Sequence, residues 1–173
     1  MLVYLIGFMG VGKTTLGKRI ANKLSFEFID LDNYIENKYK QTIPDIFETK
    51  GEAYFRKIEL ECITELSELK NHVISLGGGT PCYNDVMKLL KKTGVTIYMQ
   101  ANAAFLESRL KNSKQDRPLL KYLTNDSLRK YIDDKLAERS PYYLQADVVV
   151  DVLNADIEML SKIIIDMQHR YPN

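Results

Sequence analysis

The chain has 173 residues and a formal net charge of +1, with 45% apolar and 27% charged residues. This length suits one domain with a substantial core, and the proportions are those of a soluble globular protein. The near-neutral balance disfavours a nucleic-acid or membrane-surface binder, and no apolar run approaches the ~20 residues of a membrane span. In chain order, the apolar run Leu2-Val3-Tyr4-Leu5-Ile6 reads as a first strand. It leads into GFMGVGKTT, Gly7 to Thr15, which has the form G-x-x-x-x-G-K-[ST] with Gly7, Gly12, Lys13 and Thr14 at its defined positions. The physical reason for that spacing is a loop whose backbone N–H groups point inward around a polyphosphate. Leu16, Ile20, Ala21 and Leu24 then recur at helical spacing, and this helix adds the partial positive charge of its N-terminus. The stretch is a nucleotide phosphate site. Gly10, Val11, Gly12, Lys13, Thr14 and Thr15 are its candidate contacts, with Lys13 reaching the β- and γ-phosphates and the Thr14 hydroxyl on Mg²⁺.

Strand-like and helix-like patterns alternate along the rest of the chain, as expected of an α/β domain with a parallel sheet. A second strand is expected over Phe26 to Ile29 and a short helix over Asn33 to Lys40. Thr42 reads as an N-cap with Asp45 three residues on and Pro44 in the first turn. Gly51 interrupts, and a helix from about Glu52 to Leu69 carries Phe55, Ile58, Cys62, Leu66 and Leu69 on one stripe. A third strand, Val73 to Leu76, runs into Gly77-Gly78-Gly79. Asn84 is the expected cap of the next helix, which Gly94 closes, and Val95 to Met99 is the fourth strand. Asn102 caps a helix to about Leu110, and Lys111 to Lys121 is polar, without periodicity, and reads as a mobile loop. A helix over Asn125 to about Glu138, a strand over Asp147 to Val152 and a closing helix over about Asp156 to His169 complete the order. Cys62 and Cys82 form neither a C-x-x-C nor a zinc pattern and read as reduced thiols. No signal peptide precedes the first strand, so the expected compartment is the cytoplasm.

Ligands of a doubly wound sheet bind beyond the carboxyl ends of its strands, which directs attention to the residues that follow each one. Asp30 and Asp32 follow the second strand. One could hold a Mg²⁺-bound water and the other accept from a substrate hydroxyl, or both could cap the following helix. The triglycine run admits a ligand or another chain close to the backbone. Arg56 has Phe55 beside it and Glu59 three residues on to brace it, although a lone helical arginine is usually a solvated charge. Arg117, in the polar loop, could neutralise transferring phosphoryl charge, and Arg139 could either face the site or interact with a helix dipole. One acid and several arginines around a triphosphate site suit a small hydroxylated acid as phosphoryl acceptor.

Over nearly its whole length the sequence resembles the shikimate kinase family. The residues carrying the likeness are GFMGVGKTT, FIDLD with Asp30 and Asp32, and IFETKGEAYFRKIE with Phe47, Phe55, Arg56 and Glu59. They continue with SLGGGTP (Gly77 to Gly79), DRPLL (Arg117 to Leu120) and ERSPYY with Arg139. The resemblance implies an α/β P-loop kinase fold, a five-stranded parallel sheet flanked by helices. It implies one domain, 1–173, with a substrate-binding region at about 31–62 and a lid at about 111–123. The implied reaction moves the γ-phosphoryl group of ATP to the 3-hydroxyl of shikimate in aromatic amino-acid synthesis, with ATP and Mg²⁺ as cofactors. Asp32 would hydrogen-bond the shikimate hydroxyls and accept the proton, and Arg56 and Arg139 would hold the carboxylate. Gly77, Gly78, Gly79, Glu59, Phe47 and Phe55 would complete the substrate site. Lys13 and Arg117 would act on the phosphates, Arg109 would stack on adenine, and Thr14 with Asp30, through water, would hold the metal. The expected partner is shikimate alone, bound by a monomer, without nucleic acid or membrane. A gluconate or nucleotide kinase is the nearest enzyme rival. A GTPase switch would need an N-K-x-D motif, and Asn37-Lys38-Tyr39-Lys40 lacks the aspartate.

Overall fold

The structure, a computed structural model, describes residues 1–112 and 125–171. Five strands form one sheet: β1 (Leu2–Ile6), β2 (Glu27–Asp30), β3 (His72–Ser75), β4 (Gly94–Gln100) and β5 (Val148–Asp151). Their order is β2-β3-β1-β4-β5 and every pairing is parallel, with Leu5 of β1 opposite both Ser75 of β3 and Ile97 of β4. Because β3 and β4 lie on opposite sides of β1, a crevice opens beyond the carboxyl end of β1.

The helices are α1 (Lys13–Leu24), α2 (Leu31–Tyr39), α3 (Ile43–Leu66), α4 (Val86–Thr93), α5 (Ala103–Lys111), α6 (Asn125–Tyr143) and α7 (Ile157–Asp166). They cover both faces of the sheet, which explains why β1 is apolar throughout rather than alternating. Val3 and Leu5 pack with Ile20 of α1, Leu106 of α5, Ile132 of α6 and Leu160 of α7. Leu2, Tyr4 and Ile6 point the other way, against Ile35 of α2, Ile58 and Cys62 of α3, and Leu90 of α4. Asp147 ties the edge strand to this frame just before β5, accepting from the Thr96 N–H at 3.0 Å and hydroxyl at 2.7 Å.

Most expected elements are present with boundaries moved by a few residues. Thr42 does cap α3, accepting from Asp45 N at 3.3 Å, and Gly51 breaks the helical path with φ 79° and ψ 171°. Three expectations need correction. Asn84 does not cap α4: both it and Asp85 take left-handed φ values, 52° and 55°, and its side-chain amide donates to Arg56 O at 3.4 Å instead. Leu69 lies past the end of α3 and is exposed, because the chain must leave that face to enter β3. Finally, α6 does not stop near Glu138 but continues through Pro141 to Tyr143. The fully buried Tyr143 ring, 5.0 Å from that of Tyr98, holds the last turn on the sheet despite the proline.

Candidate active site

A cleft of about 1000 Å³ lies at the carboxyl end of the sheet, lined by Lys13, Thr14, Asp30, Asp32, Gly77 and Arg109 among others. The loop between β1 and α1 forms one wall. Gly12 caps α1 at φ 108°, a left-handed value that a side chain would strain. Lys13 is buried and folds back along the loop, donating to the carbonyls of Gly7 at 2.8 Å and Phe8 at 3.0 Å. Gly10 and Thr15 also line the cleft, while the Val11 side chain turns into the core. Arg109, at the end of α5, lies over Phe105 and reaches to 4.0 Å from where a Cβ on Gly12 would stand.

The end of β2 supplies the acids. The Thr14 hydroxyl donates to Asp30 Oδ2 at 2.9 Å, and Asp30 Oδ1 caps α2 through Asn33 N at 3.5 Å. Asp30 thus caps α2, as its position allowed, while its other oxygen meets Thr14 at the cleft wall. Asp32, in the first turn of α2, faces the cleft. Burial, with help from the nearby charges of Asp30, Glu59 and Glu36, raises its pKa from 3.8 to about 6 against the opposing pull of Lys13.

The triglycine turn after β3 is where distant parts of the chain meet. A Cβ on Gly77 would stand 3.1 Å from Asp32 Oδ1, one on Gly78 3.2 Å from Arg139 Nη1, and one on Gly79 2.9 Å from Arg56 Nη2. Three side chains from three helices therefore converge on three consecutive residues that offer no side chain to obstruct them.

Arg56 is fixed from all sides. Its Nη1 donates to Glu59 at 2.8 Å, its Nε and Nη2 to Glu52 at 3.2 and 3.1 Å, and its plane lies 4.1 Å over the Tyr83 ring. Phe55 is buried beside it, and Phe47 packs on Phe55 with ring centroids 4.7 Å apart while remaining exposed. Arg139 lies over Phe8, and four residues on the Tyr143 hydroxyl donates to the Gly78 carbonyl. Gly79, Arg56, Arg139, Glu59 and the two phenylalanines do not line the nucleotide-side cleft and adjoin it through the turn. Arg117 and residues 113–123 of the expected lid lie outside the described residues.

Sequence reasoning missed four contributors. Glu52 was readable from its i, i+4 spacing to Arg56. Thr80, which donates to Glu59, together with Tyr83 and Tyr143, reaches its partner only through tertiary packing; Thr80 and Tyr143 lie inside the quoted motifs SLGGGTP and ERSPYY, but nothing local in them marks these partners.

The sequence model of the shikimate kinase family matches residues 9–168. A shikimate kinase of Bacteroides thetaiotaomicron is 43% identical over 154 residues, covering 89% of this chain and 86% of that protein. The chain belongs to the shikimate kinase family. A crystal structure of shikimate kinase from Bacteroides thetaiotaomicron superposes with a TM-score of 0.89 at 38% identity, covering 98% of both chains. Shikimate kinase from Acinetobacter baumannii in complex with shikimate superposes at 0.83 with 33% identity, covering 98% of this chain and 93% of that one. As a shikimate kinase family member the chain is a kinase and an ATP user, with the five-stranded parallel sheet of such enzymes.

Proposed function

We propose that Asp32 receives the proton of the shikimate 3-hydroxyl while Arg56 and Arg139 grip the carboxylate and Lys13 and Arg117 meet the transferring phosphoryl group. The reaction is the family's, ATP-dependent phosphorylation of shikimate to shikimate 3-phosphate and ADP. The observation that carries the residue-level reading is the convergence of Asp32, Arg139 and Arg56 on Gly77, Gly78 and Gly79 at the edge of the phosphate cleft. Two guanidinium groups match a carboxylate through paired, charge-assisted hydrogen bonds, and a carboxylate matches a hydroxyl. Glu59 holds Arg56 in place, and Phe55 with Phe47 gives the guanidinium an apolar flank. Arg109 is the candidate platform for adenine.

Phosphoryl transfer asks the protein mainly for alignment and charge compensation. Lys13 holds its ammonium at the loop through two carbonyls, where it would meet the phosphate oxygens of a bound nucleotide. Asp32 orients the acceptor oxygen and takes its proton when ionised. The oxygens of Thr14 and Asp30, 2.9 Å apart, fit Mg²⁺, which takes few protein ligands and completes its shell with water and phosphate. When bound, the ion would neutralise charge across the β- and γ-phosphates.

The chain acts as a monomer on a small molecule in the cytoplasm, with neither nucleic acid nor membrane as partner. The net charge of +1 disfavours nucleic acid or a membrane surface as partner, and no helix among the described residues is long and apolar enough to cross a membrane. The test is ADP release from ATP with and without shikimate, repeated with EDTA and with the Asp32→Asn and Arg56→Ala variants. Shikimate-dependent release that both variants and EDTA suppress is the expected result. Release independent of shikimate, or untouched by either substitution, overturns the reading.

A further inference from the structure

We propose that Thr80 is a positioning residue for carboxylate recognition, acting through Glu59 on Arg56. The inference rests on the reading of Arg56 as a carboxylate-holding group.

Thr80 opens the turn that follows the triglycine run, and it is 0% exposed. Its hydroxyl donates to Glu59 Oε1, while Arg56 Nη1 donates to the other oxygen, Oε2, at 2.8 Å. Glu59 is 2% exposed, and its two oxygens are met by these two protein donors. A buried carboxylate is stable only where its oxygens are paired. The two donors act on opposite oxygens of one rigid planar group, so the Thr80 hydroxyl fixes the tilt of the carboxylate and thereby the direction in which Arg56 leaves it. Loss of that hydroxyl leaves Glu59 Oε1 unpaired and frees the carboxylate to tilt, which re-aims Nη1 of Arg56 while Glu52 and Tyr83 still hold the rest of the guanidinium.

The placement of the hydroxyl is selective. Measured from the Cβ position of Gly77, Thr80 Oγ1 lies at 2.9 Å, Asp32 Oδ1 at 3.1 Å and Glu59 Oε1 at 3.6 Å. The hydroxyl bonds Glu59, while Asp32 lines the cleft. A merely structural threonine would serve the turn through its backbone, which already bonds Thr80 N to Gly77 O at 3.2 Å. The buried hydroxyl adds something the turn itself does not need.

The experiment compares wild type with Thr80→Ser, Thr80→Ala and Thr80→Val. It measures KM for shikimate, KM for ATP, and the inhibition constant of a shikimate analogue whose carboxylate is reduced to an alcohol. Thr80→Ser is expected to stay within about twofold of wild type in all three. Thr80→Ala and Thr80→Val are expected to raise the shikimate KM by about three- to tenfold, because the Arg56 fork is less well aimed at the carboxylate. Their ATP KM and their affinity for the alcohol analogue should not change. A normal shikimate KM in both variants overturns the proposal, as does an ATP KM or analogue constant that worsens in step with it. Serine and alanine differ only by the hydroxyl, so the comparison survives should the valine variant fail to fold. Absence of shikimate-dependent ADP release in the wild type would instead overturn the underlying reading of the site.

Discussion

Arg56 and Glu59, one helical turn apart on α3, are joined by a 2.8 Å bond from Nη1 to a carboxylate that is almost wholly buried. The same guanidinium also reaches Glu52 through Nε and Nη2 and lies over Tyr83, its Cζ 4.1 Å from the ring centroid. Only a planar, multiply donating cation can hold both acids and stack at once.

Arg56→Lys should therefore behave as a loss rather than a conservative change. An ammonium can satisfy Glu59 but cannot also span Glu52 and present a fork to a carboxylate. The expected result is a shikimate KM raised at least tenfold with a near-normal ATP KM, measured by steady-state kinetics. A lysine variant within threefold of wild type for shikimate would show that charge alone suffices.

Gly79→Ala tests the close approach on the other side of the same guanidinium. The added methyl would stand 2.9 Å from Arg56 Nη2, inside normal contact distance, and φ at this glycine is −90°, so backbone strain is not the issue. Arg56 must yield, and the expected outcome is a raised shikimate KM with little change in thermal stability. A melting temperature lowered by many degrees would mean that the turn, rather than the arginine, gives way.

Tyr143→Phe removes only the hydroxyl that donates to the Gly78 carbonyl. The ring still fills its place against Tyr98, so the core is kept. The Gly78 peptide, next to Arg139, loses one of its tethers. We expect a shikimate KM about three- to tenfold higher, in line with ~0.5–1.5 kcal/mol for one hydrogen bond. An unaffected shikimate KM would mean that the turn holds its shape without this bond.

The phosphate loop, the parallel α/β alternation and the acids after β2 were legible because each depends on residues close together in the chain. The Arg56–Glu59 pair was legible for the same reason, through its i, i+3 spacing. Arg139 was assigned only through the family resemblance: local pattern alone left it as compatible with a helix dipole as with a ligand. Its place beside Gly78 depends on α6 continuing through Pro141, which local propensity opposes and burial of Tyr143 against Tyr98 enforces. Asn84 misled for a related reason. Asparagine suits both an N-cap and a left-handed turn, and only the nearby Arg56 carbonyl decides between them here.

The last prediction joins pH, activity and stability at Asp32. Its pKa is raised from 3.8 to about 6, first by burial and then by the charges of Asp30, Glu59 and Glu36. The folded protein therefore binds this proton more tightly than the unfolded chain does. Stability from this group is present below pH ~4 and is lost as pH rises from about 4 to about 6. Above that, the ionised side chain is a cost to the fold. If Asp32 takes the hydroxyl proton as proposed, activity runs the opposite way, because only the carboxylate can accept it. The kcat/KM for shikimate should fall as pH drops through about 6, with the limb absent from the residual activity of Asp32→Asn. That variant should lose nearly all turnover while retaining ATP binding. It should also melt higher than wild type at pH 7.5, since an amide carries no charge to bury. Discounted for partial exposure, the gain is about 1–2 kcal/mol, or roughly 2–8 °C. Calorimetry at pH 7.5 and pH 4.5 checks the sign, because the difference between the two proteins should shrink at the lower pH. An asparagine variant that melts lower than wild type at pH 7.5 would mean that the charged carboxylate is stabilised by its surroundings, contrary to the burial and the acidic neighbours observed around it.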